Sequence, residues 1–160
     1  MQIEKAFAII DAEHESHARV GNIGPGASTR DLDLLEGACS FNLPADFKKI
    51  LQWHNGQPTH VNLFLFGPYR FHDIQTILEI NHRETKSFLI FADDGGTTML
   101  AINALGEVFE LAEDGEVRLF SSPTDLLTEI AKDITNGNLQ YDPNSDSYDT
   151  NGWPRARQHS

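Results

Sequence analysis

Between residues 88 and 120 four apolar runs, FLIFA (88–92), TMLAI (98–102), EVFEL (107–111) and EVRLF (116–120), follow one another across connections too short to hold a helix. The last two connections, Asn103 to Gly106 and Ala112 to Gly115, suit hairpins, whereas parallel neighbours need a crossover of about a dozen residues or more. β-Branched and aromatic residues inside the runs, with Gly- or Asp-bearing turns between them, fit strands. This stretch therefore commits the chain to an antiparallel meander.

The flanking segments change period. Ile3, Phe7 and Ile10 recur at helical spacing. The Gly- and Pro-rich stretch 20–28 should stop that helix and serve as a loop or hinge. Ser28, Thr29 and Asp31 supply a cap and a favourable charge for a second helix, whose apolar face is Leu32, Leu35 and Cys39 and which should end near Ser40. Pro44 opens a third helix carrying Phe47, Ile50 and Leu51, and Asn55-Gly56 closes it. VNLFLFG (61–67) has the length of a strand and ends in the turn Gly67-Pro68. A short helix is expected from Asp73 to Asn81, and its polarity suggests the surface. Pro123 begins a last helix lined by Leu126, Leu127, Ile130, Ala131 and Ile134, with Asn136-Gly137 at its end. The expected fold class is α+β: N-terminal helices, a twisted and mostly antiparallel sheet of about five strands, and a C-terminal helix packed on the sheet. One domain should occupy residues 1–141, followed by a loose polar tail, 142–160, in which Trp153 is a candidate for pinning.

Ten Phe within a 39% apolar composition can fill one core for a chain of 160 residues. No run approaches the roughly twenty apolar residues that span a bilayer, and MQIEKAFAIIDAEHE lacks the pattern of an export signal. The single Cys39 has no internal disulfide partner and, among Leu35, Ala38 and Phe41, reads as an apolar filler, so a cytoplasmic location is expected. A net charge of -12 disfavours direct contact with nucleic acid or anionic lipid and favours encounter with a basic partner, although it also serves solubility alone.

Catalytic motifs are absent: there is no GxSxG elbow, no phosphate loop and no HExxH pair. His14 and His17 lie three apart beside Glu13 and Glu15 and are read as a solvated polar face rather than a metal site, while His54, His60, His72 and His82 are scattered. Asp93-Asp94-Gly95-Gly96 directly follows an apolar strand. It is read as a tight turn, because the DxDxDG spacing of a calcium loop is missing; a metal-binding or acid–base pair is the alternative. No cofactor is expected.

Two blocks then take on a common meaning. Leu35-Glu36, Leu43-Pro44-Ala45-Asp46-Phe47 and Asn55-Gly56, followed by Phe91-Ala92-Asp93-Asp94-Gly95-Gly96, Leu100-Ala101-Ile102 and Gly106-Glu107-Val108-Phe109, resemble the SUKH superfamily, which includes cell-wall-assembly regulators of Smi/Knr type and many bacterial proteins. Thr97-Thr98 depart from the Gly-Asp of many relatives. The resemblance, from about Ala27 to Ile134, implies a non-enzymatic binding domain of the bacterial immunity type, whose partner would be a basic toxin domain such as a nuclease. A regulatory scaffold and a metal-binding enzyme using Asp93 and Asp94 are the alternatives. The candidate partner-binding residues are Trp53, His54, Asn55, Asp93 and Asp94. Oligomeric state is left open.

Overall fold

The computed structural model describes residues 1–16, 24–57, 69–81, 87–144 and 147–149. Within them the chain forms α1 (Ile3–Glu15), α2 (Thr29–Ala38), α3 (Ala45–Trp53), β1 (Arg70–Phe71), α4 (Ile74–Asn81), β2 (Leu89–Asp93), β3 (Met99–Ile102), β4 (Val108–Ala112), β5 (Gly115–Phe120), α5 (Pro123–Thr135), β6 (Gln140–Asp142) and β7 (Ser147–Asp149). Strands β1 to β5 make one sheet in sequence order with every neighbouring pair antiparallel, the meander that the short connections require. The α+β class is as expected. The first strand of this sheet is Arg70–Phe71; the strand expected over 61–67 lies outside the described residues.

Two bulges set which side chains enter the core. In β2 the register slips between Ile90 and Ala92, so Leu89, Phe91 and Ala92 all turn inward while Ile90 and Asp93 share the other face. Strict alternation would have carried Asp93 into the apolar interior; one extra residue reverses the phase and keeps its carboxylate out. Phe91 meets Phe47 of α3 and Phe71 of β1 edge to face, with ring centroids 5.3 Å and 5.4 Å apart. A slip at Val108/Phe109 likewise accompanies burial of both Leu119 and Phe120 on β5.

The helices close over this inner face. α5 begins as expected at Pro123, capped by Ser122 Oγ accepting the Asp125 amide, and buries Leu126, Leu127, Ile130 and Ala131 completely. Its main partner is α1, and it reaches the sheet at β5. α4 lies at the surface as expected, with Gln75, Glu79 and Ile80 exposed, and its other face buries Ile74, Thr76, Ile77 and Asn81 against β2 and α2. The Asn81 amide explains how a polar residue is accommodated, since it donates to the carbonyls of Ile77 and Ile90 and accepts the Ile90 amide, all at 2.8–2.9 Å. It thereby completes the edge of β2 where the two-residue β1 does not reach.

Two expectations change here. Residues 24–28, the described part of the glycine-rich stretch, are docked rather than hinged: Ala27 donates to Leu51 O at 2.7 Å and Asn55 to Pro25 O at 3.1 Å. Here Gly26 lies so close to α3 that a Cβ would overlap the Gln52 carbonyl. The segment expected as a loose tail from Asp142 onward continues into the β6–β7 hairpin, whose Tyr148 is buried in the core cluster and donates to Glu13 at 3.4 Å. Trp153 lies outside the described residues. Among the described residues no helix is long and apolar enough to cross a membrane.

Candidate functional site

The end of α3 brings Trp53, His54 and Asn55 to one corner of the molecule. The half-buried Trp53 stacks on Phe7 of α1, centroids 4.3 Å apart, and donates its indole N–H to Asp11 Oδ2 at 2.9 Å. His54 bridges Asp11 Oδ1 and the Gly24 carbonyl, 2.9 Å on each side. Asn55 Oδ1 accepts the Ile74 amide at 2.9 Å and so caps α4. Gly56 follows with φ of +57°, in a place where a Cβ would stand 2.3 Å from the His72 backbone. The corner thus ties α1, α3, α4 and the 24–28 segment together through polar side chains that already have partners.

Asp93 and Asp94 stand at the far end of β2. Asp93 Oδ1 accepts the Gly95 amide at 2.8 Å and Asp94 Oδ1 the Gly96 amide at 2.9 Å, with Gly95 at φ of +83°, which is the tight turn read from the sequence. The sequence did not pair Asp93 with Arg70 of β1 and His72 directly after it. His72 Nε2 lies 2.9 Å from Asp93 Oδ2, and the Arg70 guanidinium reaches the same carboxylate at 3.4 Å. Period-two spacing was the available signal: Arg70 and His72 flank the buried Phe71 and so share a strand face.

Burial pushes the His72 imidazole below its ordinary pKa, Asp93 pulls it up less strongly, and Arg70 adds to the lowering. Nε2 faces Asp93, and among the described residues the buried Nδ1 has no hydrogen-bond partner. A base of a nucleophile–base pair would use that second nitrogen on a hydroxyl or thiol, and none reaches it among the described residues. Among the described residues no group of three His, Cys, Asp or Glu side chains could hold a metal ion. His14 is buried rather than solvated, and His17, His60 and His82 lie outside the described residues.

The residues of both sequence blocks have architectural contacts. Glu36 pairs with Lys48 at 2.7 Å, joining α2 to α3. Asp46 Oδ2 accepts both the amide and the hydroxyl of Thr124, at 3.0 Å and 2.8 Å, and so fastens the start of α3 to the start of α5. Cys39 lies beside a cavity of about 270 Å³ that it lines with Leu35, Ala38, Ile77, Leu78, Asn81 and Leu89, a mostly apolar setting. A family model described as the SMI1 / KNR4 family (SUKH-1) matches residues 26–136, more than half of the chain. No curated protein matches it.

Proposed function

The chain belongs to the SMI1/KNR4 family (SUKH-1), and from that premise we propose that it is a non-enzymatic binding protein of the cytoplasm, an immunity protein that neutralises a basic bacterial toxin by occupying it. The observation that carries this reading is a net charge of -12 on a chain whose family-signature carboxylates and amides are engaged in holding the fold. A toxin that cuts nucleic acid is the partner class such a charge favours, because its cationic groove already binds polyanions. Carboxylates that take the place of phosphates there exclude the substrate and need no chemistry of their own.

Co-expression with the toxin domain encoded beside this chain is the test. Protection of the host, together with a complex of fixed stoichiometry on gel filtration, is expected. Titrating toxin activity with the chain should reach its end point at that stoichiometry. One chain silencing many toxin molecules would point to an enzyme instead, and neither complex nor protection would remove the reading.

A further inference from the structure

Antiparallel strands with one solvated face alternate apolar and polar residues, whereas strands covered on both faces are apolar throughout. In β2, β3 and β4 the positions turned from the core carry Ile90, Met99, Ala101, Phe109 and Leu111, with Asp93 at the end of β2, where a solvated face would be polar, and the core cluster takes up only the other face of their sheet. The register sets Ile90, Ala101, Phe109 and Arg118 in one cross-strand row and Asp93, Met99, Leu111 and Glu116 in the next, all on the face turned from the core. Phe88 joins them through its ring, 5.0 Å from that of Phe109. Phe88, Ile90, Met99, Phe109 and Leu111 are partly exposed around the fully buried Ala101, and together they make an apolar patch on this face.

The same face has a charged border. In a meander the β2–β3 and β4–β5 hairpins turn at the same end, so Asp93 and Asp94 stand at the same end of the sheet as Glu113, Asp114 and Glu116. Arg70 pairs with Asp93 there, while Arg118 turns to Glu107, toward the opposite end, at 2.6 Å. The border is therefore acidic.

We infer that this outer sheet face is the docking surface for a basic protein partner, which lays an apolar patch on Ile90, Met99, Phe109 and Leu111 and sets Lys or Arg side chains against the carboxylates of the two hairpin tips. A second copy of the chain is a poor occupant, because it brings the same net charge of -12 rather than the cationic groups the border calls for. The inference rests on the binding role proposed above and assigns it a place.

Calorimetric titration of the toxin domain encoded beside this chain provides the test. Phe109→Lys and Met99→Lys should each weaken binding on the order of 30-fold or more, the loss expected at the centre of an interface. Leu105→Lys, on the exposed turn at the other end of the sheet, should bind as wild type. The combined variant Glu113→Gln, Asp114→Asn, Glu116→Gln should associate more slowly and with a flatter dependence on salt. Circular dichroism checks each fold; should Lys at 109 or 99 unfold the chain, the acidic variant, which alters only exposed side chains, decides. Wild-type affinity in both the apolar-face and acidic variants would overturn the docking surface and leave the binding role standing. No binding by wild type would remove the role and the surface with it. A wild-type dimer that Phe109→Lys dissociates would name a second copy as the occupant and overturn the proposal.

Discussion

Asp46 reaches across 78 positions to hold the amide and hydroxyl of Thr124, while its other oxygen accepts the Phe47 amide. Asp46→Ala would leave these donors without a protein partner, and we expect a loss of about 1–3 kcal/mol, read as a lower urea midpoint with an unchanged slope. At His72 the prediction concerns pH. Its pKa is depressed in the folded chain, so the unfolded chain binds the proton more readily; the stability this gives is present above the ordinary value of 6.5 and is lost as pH falls through the folded value. The urea midpoint should therefore drop between pH 7.5 and pH 5, and His72→Gln should flatten that drop even where its own stability is lower. The cap at Ser28 and the turn at Asp93 to Gly96 were legible because each is made by residues a few positions apart. Asp46 with Thr124, Asp11 with Trp53 and Asp93 with His72 were not, because no local period records which distant donor a carboxylate will meet.

Element by element, the helices and the meander followed from spacing and connection length, the β6–β7 hairpin and the docked 24–28 segment did not, and α4 proved to have a buried face. Its mixture of Asn, Gln and Glu with Ile suggested the surface, yet Asn81 is buried because the exposed backbone of β2 needs a donor and an acceptor there. An amide supplies both. Asn81→Leu should therefore destabilise the chain by about 1–3 kcal/mol despite its greater apolarity, and the Ile90 amide should exchange its hydrogen faster. The apolar character of FLIFA, TMLAI and VFEL was visible from the start. Its meaning was not, since a largely apolar strand can be buried on both faces or exposed on one until the layers are known.

For the whole molecule, the β6–β7 hairpin extends the folded unit past the expected boundary at 141, because Tyr148 finds the core. Its phenol lies beside Glu13, and burial together with that carboxylate raises its pKa. Tyr148→Ala should cost about 3–5 kcal/mol, as large-to-small aromatic changes in cores do, whereas a dispensable tail would tolerate it; a thermal melt distinguishes the two. The sequence by itself determined the α+β class, the antiparallel pairing, the family and the net charge of -12. Each of these depends on local period, loop length or summed composition, which are complete in the linear chain. Only the tertiary structure decided that Trp53, His54 and Asn55 stitch helices together, that one bulge keeps Asp93 out of the core, and that an apolar sheet face lies beside two acidic hairpin tips. Those facts depend on which surfaces are left over once the core has closed, a property of three-dimensional packing that no stretch of neighbouring residues contains.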